Sequence, residues 1–293
     1  MRQLQFPELP VEAVMDKVDH YIQSVTQLPP APTLLVELLG LFKDPDRDVD
    51  QVVELVSLDP SITAEILRRC NSAFLGGAEP ASDMFEAVSR LGFYEVYTVV
   101  AAMFGASAKA IPGAADTVDV SNLWRHSVTT AVAASVVAEE TGGSTSAAFT
   151  SGLLHDIGKL IFASVERSRY GQLVRASSAA SISLAGAERG AYGTDHAEIG
   201  GRLLARWNLP EEVCSAIQFH HSPTTEAAEP FQRSAAAICL GNWIAHHLSE
   251  PEPSLTPEYG LLLSPLELKD DATKPLFART QKGLERVKGL LAM

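Results

Sequence analysis

Seven of the eight histidines of the 293-residue chain fall from position 126 onward: His126, His155, His196, the adjacent His220 and His221, and the pair His246 and His247. Only His20 stands apart, on the polar side of an early helical segment. Imidazole can be an acid or base near neutral pH, a metal ligand or a hydrogen-bonded core group, and a single one is most simply the last. Several at separate helix ends and interiors call for more. His155 and Asp156 adjoin the apolar run Ser151-Gly152-Leu153-Leu154, where an imidazole and a carboxylate are both costly to bury without a partner. A metal ion is one such partner; a hydrogen-bonded polar cluster that fixes helix register is the other. Imidazole nitrogen with carboxylate oxygen suits iron, manganese, zinc or nickel better than calcium, and ligands from several helices can meet in a bundle core. Lys159 stands one turn beyond His155, about 6 Å along one face of a continuous helix, so its ammonium could approach a phosphate at the same centre. The plainer reading of Lys159 is a surface lysine near a helix end.

The elements that must position these residues are helical. Val11, Val14, Val18, Tyr21, Ile22 and Val25 recur at helical spacing and stop at Pro29-Pro30; Leu34 to Phe42 follows, closed by Asp44-Pro45-Asp46. Asp48 and Gln51 have capping-box spacing, and further helices are expected over Ser61 to Cys70, Asp83 to Leu91 and Phe93 to about Ala108. The stretch from Ile111 to Val120, with Pro112, Gly113 and no apolar period, predicts a connection between two helical units. Beyond it, two long helices are expected over Leu123 to Glu140 and Thr145 to Val165, parted by Gly142-Gly143 and capped at Ser144. Asp195 and Glu198 start another helix that ends near Asn208. One through Val213 and Ile217 runs into His220-His221, and Ser234 to Leu248 precedes a linker at Pro251 and Pro253. The tail from Leu261 reads as helix interrupted at Pro265 and Pro275, and the Ala/Ser-rich Ala176 to Ala187 has no clear reading. Period-two alternation is nearly absent, so the fold class is all-α.

Twenty-three Lys and Arg against 36 Asp and Glu leave a net charge of −13, which repels polyanions and argues against direct nucleic-acid or anionic-membrane contact. Cys70, Cys214 and Cys239 are far apart and lack CxxC spacing, as expected of buried thiols in a reducing cytoplasm. The N-terminus lacks the pattern of a secretion signal, and no apolar run is long enough to span a bilayer.

The run Gly152-Leu153-Leu154-His155-Asp156-Ile157-Gly158-Lys159-Leu160, with His126 upstream, resembles the HD metal-dependent phosphohydrolase superfamily. Leu28-Pro29-Pro30-Ala31-Pro32, Leu58-Asp59-Pro60-Ser61-Ile62-Thr63, Asn71-Ser72-Ala73-Phe74 and Ala87-Val88-Ser89-Arg90-Leu91-Gly92 narrow the resemblance to the HDOD family of bacterial signalling proteins. So do Asp195-His196-Ala197-Glu198-Ile199-Gly200, Trp207-Asn208-Leu209-Pro210 and His220-His221-Ser222-Pro223, so that about residues 20 to 250 are covered. The resemblance implies an N-terminal helix (1–22), an N-terminal helical subdomain (23–111) packed on an HD-like bundle (112–250), and a C-terminal helical extension (251–293). It implies action through signalling partners, with His126, His155 and Asp156 as core metal candidates and His196, His220 and His221 as a second or wider ligand set. Asn242 stands where the family's downstream aspartate is expected. The Gly-Tyr-Pro element of cyclic-di-GMP phosphodiesterases is replaced by Ser222-Pro223-Thr224-Thr225. The leading expectation is therefore a signalling output protein whose centre binds a divalent transition metal. The alternative is a metal-dependent phosphohydrolase of cyclic dinucleotides or nucleotides, in which Lys159 contacts phosphate.

Overall fold

Asp48, Asp83, Asp119, Ser144, Ser183 and Asp195 each precede a helix and accept a hydrogen bond from the backbone N–H three residues on. At Asp48 the box is reciprocal: its Oδ1 accepts from the Gln51 N–H at 2.9 Å and the Gln51 Oε1 from its own at 3.1 Å. The computed structural model describes residues 11–24, 33–43, 48–73, 81, 83–108, 113–225, 227, 230–250, 255–269 and 271–286. Pro29-Pro30, Asp44-Pro45-Asp46, Phe74, Pro112 and the linker at Pro251 and Pro253 lie outside the described residues.

The first half carries α1 (Val11–Ser24), α2 (Thr33–Lys43), α3 (Val49–Ser57), α4 (Pro60–Ala73), α5 (Met84–Leu91) and α6 (Phe93–Ala108). Turns over 113–118 lead into α7 (Val120–Glu140), α8 (Thr145–Leu154), α9 (Ile157–Glu166), α10 (Ser168–Ala180), α11 (Leu184–Tyr192), α12 (His196–Arg206), α13 (Glu211–Gln218) and α14 (Gln232–His247). The short α15 (Pro257–Gly260) and α16 (Thr273–Arg286) complete the order, and no strand occurs among the described residues. The protein is all-α.

Two expectations are corrected. Thr145 to Val165 is not one helix: α8 ends at Leu154 and α9 begins at Ile157, with Asp156 between them at φ −99°, ψ 8°. No Gly or Pro marks this break, so the apolar period runs straight through it. Lys159 is therefore not one turn from His155 on a shared face. The expected helix from Leu261 is a series of turns through 267, and α16 tolerates Pro275 because its first turn has no intrahelical N–H bonds to lose.

One apolar core runs through Val18, Leu38, Ile66 and Tyr97 of the early helices and on to Phe162 and Ile199 of the later ones. Burying a side chain of this size contributes about 1.5–3 kcal/mol. A second cluster, with Trp243, Leu240, Leu266 and Phe277, fastens α14 to α16 and to the turns between. Helix α7 lies against α8, α14 and α16, while α12 lies against α9, α13 and α1.

Several glycines set how closely the backbones approach, and two of them bear on the histidines. A Cβ on Gly158 would sit 2.0 Å from the His196 carbonyl oxygen, so the start of α9 rests directly on that of α12. A Cβ on Gly241 would sit 2.8 Å from the Ala134 nitrogen, which places α14 against α7. Gly158→Ala should lower the midpoint of thermal unfolding, by a loss in the overpacking range of about 1–3 kcal/mol. Gly190→Ala, where an added methyl meets nothing within 4 Å in the interior of α11, should instead raise stability by about 0.5–1 kcal/mol. Calorimetric melts of the two variants check the contrast.

Candidate metal centre

The α8–α9 break delivers two adjacent polar side chains into the core. His155 caps α8, and its Nδ1 lies 2.7 Å from the Gly152 carbonyl. His220, past the end of α13, repeats the arrangement at 2.7 Å from the Ile217 carbonyl. A carbonyl only accepts, so Nδ1 carries the proton in both rings and Nε2 keeps its lone pair. Both Nε2 atoms are buried without a hydrogen-bond partner.

Asp156, 2 % exposed, lies among these rings. Its Oδ2 is 2.6 Å from the Lys159 Nζ, 3.4 Å from the His155 Nε2 and 3.9 Å from the His126 Nε2. Its Oδ1 is 3.3 Å from the Nε2 of His196. The His196 Nε2 in turn lies 2.9 Å from that of His221. Two triads result: His126, His155 and Asp156, and His196, His220 and His221, each offering ligand atoms within 4.8 Å of one another. The carboxylate of Asp156 lies between them.

Helix α14 closes one side. Asn242 sits against His126, its Oδ1 buried without a hydrogen-bond partner. The ring of His246, an exposed residue, lies against that of His126, tilted by 32° with centroids 4.4 Å apart. Behind His196, the buried Glu188 accepts from its backbone N–H at 2.9 Å and from its Nδ1 at 2.6 Å, and accepts from the Tyr170 hydroxyl at 2.7 Å.

Burial pushes His126 down to about 4 and His220 to about 3, and holds His155 and His221 well below the usual imidazole range. These four rings are neutral lone-pair donors at pH 7. Burial also opposes charge on His196, but the carboxylates of Glu188 and Asp156 outweigh it and lift His196 to about 9. Burial works against ionisation of Asp156 as well, yet the Lys159 ammonium and His196 hold its carboxyl well below the usual range. The residues fit a divalent transition metal: orphaned imidazole nitrogens, an orphaned amide oxygen and one ionised carboxylate face a common interior.

The structure thus brings together His126, His155, Asp156, His196, His220, His221, Lys159 and Asn242. Glu188 and Tyr170 join them without a signal in the sequence, and so does His246, which the sequence marks only as one of a histidine pair. Glu188 lies on a helix unremarkable in pattern, just past the Ala/Ser-rich stretch that proves to be the end of α10 and the start of α11. No disulfide joins the three cysteines, and Cys70 and Cys214 are buried.

Comparison with known proteins bears on the family and the fold. The family model of the HDOD domain matches residues 28–223. An uncharacterised protein of Treponema pallidum is 26% identical over 243 residues, 82% of this chain and 45% of its own length. The chain spans under half the length of the curated relatives it matches. An HDOD domain protein of Geobacter sulfurreducens has the same fold, with a TM-score of 0.72 at 24% identity over 96% of this chain and 98% of its own. A candidate phosphohydrolase of Shewanella amazonensis gives 0.69 at 28% identity over 95% and 98%. No described helix is long and apolar enough to cross a membrane.

The buried rings imply a pH profile for the metal-free protein. Unfolded imidazoles titrate near 6.5, whereas His126 stays neutral to about 4 and His220 to about 3, and burial holds His155 and His221 well below the usual range. Between these limits the unfolded chain binds more protons, so stability is lost as the pH is lowered, on the order of 1 kcal/mol per pH unit per ring. His196 has the opposite sign: its contribution is full below 6.5 and is lost as pH rises through about 9. The melting midpoint should therefore fall more steeply from pH 6.5 to 5 than from pH 6.5 to 8. A flat acid limb would contradict neutral buried rings.

Proposed function

We propose that this chain, which belongs to the HDOD domain family, is a signalling output module of the bacterial cytoplasm. In this reading its HD-type centre holds a divalent transition metal and acts through contacts with signalling proteins rather than by turnover. One observation supports the reading: two convergent triads of possible ligands have the amide of Asn242 beside His126, where the resemblance would lead one to expect a carboxylate. His126, His155 and Asp156 would hold one ion and His196, His220 and His221 another. A metal in such a site polarises a phosphoryl group and lowers the pKa of bound water.

What the chain's own groups do favours binding over catalysis. The Nδ1 protons of His155 and His220 are held by backbone carbonyls and that of His196 by Glu188, so these rings are committed to fixed orientations. The Asn242 amide cannot take a proton from water. Lys159 places its ammonium on Asp156 Oδ2 and neutralises it. Net charge of −13 disfavours nucleic acid as a direct partner.

A second reading, a metal-dependent phosphohydrolase, draws on the retained ligands, on Lys159 beside them and on the likeness to the Shewanella protein. Elemental analysis of the purified protein and hydrolysis of cyclic dinucleotides and nucleotides with Mn2+, Fe2+, Zn2+ or Ni2+ separate the two. Bound metal with little turnover is expected, and Asn242→Asp should raise turnover about tenfold or more, about 1.4 kcal/mol of barrier. Efficient wild-type hydrolysis, abolished by Asp156→Ala in a folded protein, would establish the second reading instead.

A further inference from the structure

We propose that Glu188 and Tyr170 are positioning residues that make the His196, His220 and His221 subsite the tighter of two unequal metal subsites, so that the centre fills in a fixed order. The inference rests on the metal-binding reading of the centre and assigns roles inside it.

The two triads differ in the charge behind them. At the His126, His155 and Asp156 triad, the neutral Asn242 contributes no charge, and the Lys159 ammonium already lies 2.6 Å from Asp156 Oδ2. A cation entering there meets a like charge and gains one carboxylate. At the other triad the ligands are three imidazoles, of which His196 gives up its Nε2 proton to a metal, and a second carboxylate, Glu188, stands one ring away.

That carboxylate is specifically directed. Glu188 Oε2 accepts two hydrogen bonds from one residue, the backbone N–H and Nδ1–H of His196, which fixes both the start of α12 and the plane of the ring. Its Oε1 accepts from the Tyr170 hydroxyl, so three donors satisfy a fully buried acid. With Nδ1 committed, Nε2 of His196 is the nitrogen presented to Asp156 Oδ1 at 3.3 Å and to His221 Nε2 at 2.9 Å. A carboxylate behind a ligating histidine orients the ring and raises its basicity, and losing it weakens metal binding about 10–100-fold.

The test is a Co2+ titration of the metal-free protein, followed by calorimetry and by the visible absorption of the bound ion. Wild type should bind in two resolved steps. Glu188→Gln should weaken the tight step by about 10–100-fold and leave the weak one in place. Tyr170→Phe should weaken the same step by less, while Asn242→Asp should tighten only the weak step. Circular dichroism of each metal-free variant establishes that it is folded, and Tyr170→Phe decides the matter if Glu188→Gln does not fold. Two Co2+ ions bound in one unresolved step, or folded variants with wild-type affinities, would overturn the inference and leave the metal reading standing. Wild type that binds no Co2+ would overturn both.

Discussion

A carboxylate with almost no access to water must be compensated where it sits, and Asp156 is that carboxylate. Its neighbours are three imidazoles from different helices and a lysine one turn along its own helix. Lys159 is in hydrogen-bond contact with Oδ2 at 2.6 Å, while His155 and His126 stand farther off at 3.4 and 3.9 Å, and His155, whose Nδ1 proton is held by Gly152, presents a lone pair. Such an assembly is poor as an ion-pair network and good as a ligand set, because neutral nitrogens facing a carboxylate complete one another only around a cation. The breaks and close contacts of the surrounding helices follow from holding these groups in place.

Close backbone approach supplies the geometry. Gly158 lets the start of α9, just after Asp156, touch the start of α12 at His196, so the two triads share one interior. Gly241 does the same for α14 against α7 and sets Asn242 beside His126. The apolar core around them gives the stability from which the polar interior is subtracted. His155 and His220, buried neutral with their Nε2 atoms unpartnered, are a standing cost that an apolar interior would not carry. A cost of this kind is expected at functional sites.

Much of this was legible in the sequence. Caps at Asp48, Ser144 and Asp195, the period of the core helices and the Gly142-Gly143 stop all act locally, so spacing alone reveals them. The histidines were conspicuous because a buried imidazole beside a carboxylate is rarely neutral in its implications. The break at His155-Asp156 was not legible, since no helix breaker marks it and tertiary contact at Gly158 accompanies it instead. Glu188 and Tyr170 were hidden for a related reason: their role depends on how α10 and α11 fold back on α12, which no short-range pattern encodes. His246 reaches His126 only because α14 crosses α7 closely.

The account turns on whether the inward-facing nitrogens bind metal as one centre. Anomalous diffraction from crystals of Mn2+-loaded protein is the most direct measurement. The account predicts ion density bounded by His126, His155 and Asp156 and by His196, His220 and His221, with Asp156 common to both. Ions found only at surface carboxylates, with the interior rings in contact with water or with each other, would contradict it.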